Sequence, residues 1–490
     1  MTVPSQQPAR GSAAPNQPLQ ASMGAAPFAA ARRTVTARQP IALISVQGDP
    51  TATKVESGAI GQSVYVRQVG EALAKLGWQV DIFTRKADPH VAPIVEQAPH
   101  CRIVHLPAGP PTPLSEAEVL SHLPEFIQAL HAFQTKQGSH YPLLHTNGWL
   151  SAWSGLQLRQ QSNVQLVHTY HTLGCVEYQA CPQMPAIATT RLQVEQQILH
   201  QAQRVVATSP QEQETLHRLI ATDGRIEMIP CGTDLEHFRS LHKPWARAQL
   251  GLADSAQVVL YVGRFAAHKG VDTLIRAFAQ CYAQGTHPHL QLLLVGSGQS
   301  DRSTPSLANG ADDPERARLE ALVQRLGMQS VTQFVGQVSY DRLPVYYTAA
   351  DVCVIPSHYE PFGLVAIEAM ACGTPVVASD VGGLKFTVMP GETGLLVPSQ
   401  DVTAFARGIE RVLEDAAWVS QLKQQAANRV RQTFSWASVA GQLSDLYRRL
   451  LAQSITQEQL WVEGPAVPWP RQLSAPPVEP LPTHPRAKAS

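Results

Sequence analysis

The chain has 490 residues, 38 Lys plus Arg against 38 Asp plus Glu, and 44% hydrophobic residues. With this balance no excess charge points towards nucleic acid or an anionic membrane, and the length exceeds one domain, at roughly 150 residues each. No apolar run reaches the roughly 18 residues of a membrane span, and the first forty residues lack a signal peptide's apolar core, so a soluble protein without integral membrane association is expected. Seven cysteines without metal-ligand spacing, Cys175 and Cys181 included, read as reduced, mostly buried thiols of a cytoplasmic protein.

In chain order, residues 1–39 read as a disordered Ala/Gln/Pro-rich arm. Residues 40–232 alternate strand-sized apolar runs (IALISV, WQVDIFT, RIVHL, PLLHT, VQLVHT, RVVATS) with amphipathic stretches, the pattern of a parallel sheet with crossover helices. The first of these helices is VYVRQVGEALAKLGW, after a loop containing Gly58 and Gly61. Periodicity lapses over residues 233–250, the expected linker. A second series, VVLYVG, LQLLLVG, TQFVG, DVCVIP, PVVAS and GLLVP, occupies residues 251–430, interrupted by a surface insertion over 296–314. Residues 431–453 are expected to form a helix packing back on the amino-terminal domain, and 454–490 a Pro-rich disordered tail. The fold class is α/β, two Rossmann-like doubly wound domains facing across a cleft, with ligands beyond the carboxyl ends of the strands.

HYEPFGLVAIEAMACGTPVVASDVGG, residues 358–383, carries the densest chemistry. Gly363 opens an apolar helix, and free amides of Phe362, Gly363 and Leu364 at its start suit an anionic phosphate. Glu360 and Glu368 suit sugar or ribose hydroxyls, whose protons a carboxylate accepts; the plainer alternative is a loop acid and a surface helix acid. Arg264 and Lys269, in VGRFAAHKG after a strand, can neutralise a departing diphosphate. His168 and His171 are close enough in sequence to suggest a metal, but no third ligand is evident, and no metal or cofactor is expected.

The segment around Glu360 and Glu368 resembles the signature of the family four retaining glycosyltransferases, in which two glutamates are separated by seven residues, as they are here. The resemblance spans residues 40 to about 453 and implies the GT-B architecture. It implies catalytic roles for His171, Arg264, Lys269 and Glu360, and donor contacts from Gly61, Gln337, Val338, Phe362, Gly363, Leu364 and Glu368, with Glu368 on the ribose and Gln337 and Val338 on the base. It implies acceptor contacts from Arg191 and Thr172, against the alternative of a surface salt bridge for Arg191. Within the family the chain looks most like bacterial sucrose-phosphate synthase-like enzymes, with the inositol-phosphate N-acetylglucosaminyltransferases next. It departs from them at Ile60, where a glycine is usual, at Gly148, where an aromatic is expected, and at Glu177, where a lysine is frequent.

The resemblance therefore implies transfer of a hexose, expected to be glucose from UDP-glucose, from a nucleotide-sugar donor to a small carbohydrate acceptor, either a sugar or a sugar phosphate. Two alternatives stand beside it: a noncatalytic nucleotide-sugar-binding homologue, motivated by the departures, and an enzyme acting on a lipid or polysaccharide.

Overall fold

The computed structural model describes residues 38–51, 60–178, 184–220, 225–297 and 313–460. The amino-terminal arm up to residue 37, Gly58, Cys181, most of the insertion (298–312) and the tail from residue 461 lie outside the described residues.

The first sheet has the order β3-β4-β2-β1-β5-β6-β7-β8. Its strands are β1 (Gln39–Ile44), β2 (Trp78–Arg85), β3 (Ile94–Ala98), β4 (Cys101–Leu106), β5 (Leu143–Asn147), β6 (Gln165–Thr169), β7 (Arg204–Ala207) and β8 (Ile226–Met228). All pair in parallel except β3, which runs antiparallel to β4. The second sheet, β11-β10-β9-β12-β13-β14, is wholly parallel. It comprises β9 (Gln257–Val262), β10 (Leu290–Val295), β11 (Thr332–Gly336), β12 (Val352–Ile355), β13 (Val376–Ser379) and β14 (Leu395–Val397). Helices cover both faces of a parallel sheet, so its inner strands carry almost unbroken apolar runs. QVVLYV and LQLLLV are such runs, buried at nearly every position.

All twelve apolar runs of the sequence became strands. β3 (IVEQA) and β8 (IEM) were missed because each is short, carries charge and lies at a sheet edge, where one side of the ladder is unpaired. The first crossover helix begins at Ile60, so Gly61 lies in its first turn rather than in the preceding loop.

The chain crosses between the sheets twice, and the crossings touch. Thr233 forms a bridge with Ser435, its amide donating to the Phe434 carbonyl at 2.7 Å, and Gly232 packs against the Trp436 ring. The helix Trp436–Leu460 then lies on the first sheet: Trp78 Nε1 donates to Ser444 Oγ at 2.9 Å, and Tyr447 Oη is 2.5 Å from His145 Nδ1. The intervening segment is not structureless. Residues Lys243–Gln249 form a helix anchored to the second sheet by Arg247 and Lys243, both paired with Asp351.

Candidate functional site

In a parallel sheet ligands gather at the carboxyl ends of the strands. On the second sheet the neighbouring strands β11, β10, β9 and β12 end at Gly336, Val295, Val262 and Ile355. Their following loops set Gln337, Gly296, Arg264 and Glu360 along one rim. On the first sheet β1, β5 and β6 are neighbours, with Ser45 and His171 just beyond the ends of β1 and β6 and Asn147 the last residue of β5.

The loop after β9 and the loop after β12 are strapped together. The His358 amide donates to the His268 carbonyl at 2.7 Å, and Lys269 Nζ donates to Glu360 Oε2 at 2.6 Å, with Ser357 Oγ at 3.3 Å from the same oxygen. Gly270 makes this approach feasible: its φ is +65°, and a Cβ there would lie 2.1 Å from the Pro356 carbonyl oxygen. Arg264 is exposed and its side chain has neither hydrogen bond nor ion pair among the described residues, whereas its carbonyl accepts from Tyr261 Oη at 2.8 Å. The rim thus holds one unpaired cation and one cation paired to a carboxylate.

The helix Leu364–Ala371 starts from Gly363, in the left-handed region at φ +94°, and no side chain caps it. Its first amides are left for a partner from outside the helix, with the positive end of the dipole behind them. Phe362 is buried edge-on against Phe434, tying this turn to the second crossing. Glu368 is not a surface acid: it is partly buried and accepts from Tyr347 Oη at 2.8 Å. Burial pushes its carboxyl up to about 7, against the lowering effect of the Tyr347 bond.

Gln337 and Val338 line a pocket of about 390 Å³ with Ser339, Arg342 and Tyr346. Glu360, Lys269 and His171 do not line it, so these residues occupy a separate place on the rim.

The first sheet meets this rim directly. A Cβ on Gly61 would stand 3.8 Å from Leu364 Cδ1, and Ser209 Oγ lies 3.4 Å from the Pro361 carbonyl oxygen. His171 adopts φ +65°, uncommon for a non-glycine residue, with its Nε2 2.9 Å from Asn147 Oδ1 and its ring edge-on to Tyr65 at 4.9 Å. Burial lowers its pKa to about 3, which keeps the imidazole neutral. His168 is buried, 2.9 Å from Thr146 Oγ1, and stacked edge-on with Tyr170. Among the described residues no group of three or more potential metal-ligating side chains gathers.

Arg191 and Thr172 are brought together, Nη2 donating to Oγ1 at 3.0 Å. The surface salt bridge weighed for Arg191 is corrected here: the side chain is buried, with Nε 2.8 Å from Glu195 and Nη1 2.6 Å from Glu177. Burial works against its charge, but Glu177 and Glu195 more than offset this, and its pKa is raised. Gly148 also has a local reason. Its φ of +77° is one that side-chain-bearing residues rarely adopt, and a Cβ there would press on Gln62 Oε1 at 2.9 Å, so an aromatic residue would be strained in this arrangement.

Tyr347, Asn147, Tyr65, Ser209 and Ser357 were not legible in the sequence. Each supports or approaches a site residue from a position that no local motif marks. The only sequence signal is that Asn147 ends a strand and that Ser209 and Ser357 each follow one.

Two family models match: "Glycosyl transferases group 1" over residues 243–432 and "Glycosyl transferase 4-like domain" over residues 61–232. The chain is 35% identical to D-inositol 3-phosphate glycosyltransferase 2 of Catenulispora acidiphila, over 84% of this chain and 94% of that protein. It is 36% identical to D-inositol 3-phosphate glycosyltransferase of Rhodococcus erythropolis, over 84% and 91%. Among solved structures, sucrose-phosphate synthase from Thermosynechococcus elongatus matches with a TM-score of 0.74 at 51% identity, over 85% of this chain and 100% of that one. Anabaena HepE in complex with UDP-glucose shares the fold, with a TM-score of 0.64 at 22% identity, over 84% and 100%.

Proposed function

The chain belongs to the group 1 glycosyltransferases, with the two-sheet GT-B fold, and from that membership we propose that it is a retaining enzyme moving glucose from UDP-glucose to a small sugar phosphate, as a sucrose-phosphate synthase does. The observation that carries this reading is the 51% identity to sucrose-phosphate synthase, extending over 85% of the chain. The rim geometry supports it. A diphosphate brings negative charge that competes with Glu360 for the Lys269 ammonium and takes up the unpaired Arg264, while the uncapped start of Leu364–Ala371 supplies amides. Glu360, released from Lys269, then accepts from a sugar hydroxyl, and Glu368 from the ribose.

In this reaction the anomeric carbon loses its bond to the diphosphate oxygen and gains one to the acceptor hydroxyl on the same face, and the leaving phosphate takes the acceptor proton. No side chain need serve as base, which suits a His171 held neutral by burial. Catalysis rests on positioning and on charge fixed near the leaving group. No metal or other cofactor enters the proposal. On the acceptor side, a phosphate displaces the exposed Glu177 from Arg191 while the buried Glu195 stays.

A second reading, an inositol phosphate as acceptor, is favoured by the relatives at 35% and 36% identity. Incubation with UDP-glucose and either fructose 6-phosphate or inositol 3-phosphate, followed by mass spectrometry, separates them. Product from the inositol phosphate alone replaces the first reading, and UDP binding without product from any acceptor supports a noncatalytic homologue.

A further inference from the structure

A second pocket, of about 340 Å³, opens beside the amino-terminal end of β12, the end opposite to the one that carries Glu360. Ser240, Leu241, Lys243, Cys372, Lys423 and Gln424 contribute to its lining. Asp351, the carboxylate of this region, is already committed: Lys243 Nζ donates to it at 2.6 Å, Arg247 Nη2 at 2.8 Å and the Val258 amide at 2.7 Å. Lys423 has no hydrogen bond or ion pair among the described residues, although its side chain is partly buried. Lys243 and Arg247 therefore share one carboxylate, while Lys423, which lines the same recess as Lys243, has none of its own. Like charges held together in this way are costly unless an anion joins them. Burial and the neighbouring Lys243 and Arg247 charges lower the Lys423 pKa, with Asp351 opposing.

We propose that this pocket binds a phosphate dianion, free or carried on a small sugar, between Lys243 and Lys423. Lys243, Arg247 and Lys423 less the Asp351 carboxylate leave an excess of two positive charges, which a dianion matches, and Ser240 and Gln424 at the same wall carry neutral donors. The pocket is larger than a bare phosphate requires, and Leu241 and Cys372 line the remaining space with apolar atoms. The site is separate from the donor rim in position and in residues. Lys243 follows the first crossing between the sheets, and Lys423 lies on the helix Ala416–Thr433 that leads to the second. An occupant would thus link the two crossing segments.

The test is phosphorus NMR line broadening of inorganic phosphate, and separately of a hexose 6-phosphate, with the full chain saturated in UDP to fill the donor site. Lys423→Gln should weaken phosphate binding by roughly tenfold or more, the worth of one charge-assisted hydrogen bond, and Lys423→Arg should retain it. Transfer measured without added phosphate should be unchanged in both variants. Tighter binding of the hexose phosphate that is lost in Lys423→Gln would identify a sugar phosphate as the occupant, and equal affinity for both would identify the free ion. Equal phosphate affinity in wild type and Lys423→Gln, or no broadening at all with the wild type, overturns the proposal.

Discussion

The two sides of the cleft manage charge in opposite ways. The rim proposed for the donor keeps its charges available, with Arg264 unpaired among the described residues, Lys269 held by one carboxylate and a helix start without a cap. The acceptor side neutralises Arg191 with two carboxylates and keeps His171 uncharged by burial. In the proposed reaction a region that meets a diphosphate leaves its cations open, whereas one that orients a hydroxyl needs few free charges. Glu177 is the exception, an exposed carboxylate on a buried arginine, and it is where the acceptor side can change state.

The strongest way to break this contrast is at the donor rim. Glu360→Ala and Lys269→Ala should each lower kcat by roughly 10²- to 10³-fold, the scale for losing one electrostatic stabiliser of developing charge. Both variants should remain folded by circular dichroism. Transfer at the wild-type rate in both would remove the rim from the reaction. On the acceptor side the first effect should be on folding. Arg191→Ala leaves Glu195 buried without its partner and should cost about 3 kcal/mol in a denaturant titration.

A smaller effect tests Glu368. Burial raises its carboxyl to about 7, and the ionised form is the stronger acceptor because neither oxygen carries a proton. The KM for donor should therefore fall as pH rises from 6 to 8, by roughly tenfold at most, and Glu368→Gln should remove this dependence. Acid stability reports on the opposite sheet. His145 is wholly buried with a pKa lowered to about 3. The unfolded chain protonates first, so stability is full above about 6.5 and declines as pH falls towards 3, by at most about 1.4 kcal/mol per pH unit from this group. A His145→Gln variant with an unchanged acid-unfolding curve would contradict this. The smallest change should come from Glu177→Gln, which frees one face of Arg191 and should lower the KM of a phosphorylated acceptor a few-fold, leaving that of an unphosphorylated sugar unaltered.

Much of this arrangement was readable before folding. QVVLYV, LQLLLV and the other apolar runs specify buried parallel strands because both faces are covered. Placing Arg264, Lys269 and Glu360 directly after such runs puts them at one edge. IVEQA and IEM carry no such mark because an edge strand need not be apolar. Long-range pairings were hidden for another reason. Nothing near Tyr347 in sequence marks it as the donor to Glu368, and nothing near Glu177 marks it as the partner of Arg191. Those contacts arise from how elements pack, as does the pocket between Lys243 and Lys423.

The most direct test of the central claim is product analysis by mass spectrometry with UDP-glucose and fructose 6-phosphate as substrates, with Glu360→Ala as the control. A phosphorylated product heavier than the acceptor by one hexosyl unit is expected, with proton NMR showing the anomeric configuration of the donor retained, and its loss is expected in the variant. Absence of product from the wild-type protein with every nucleotide sugar and acceptor offered, or equal product from Glu360→Ala, would contradict it.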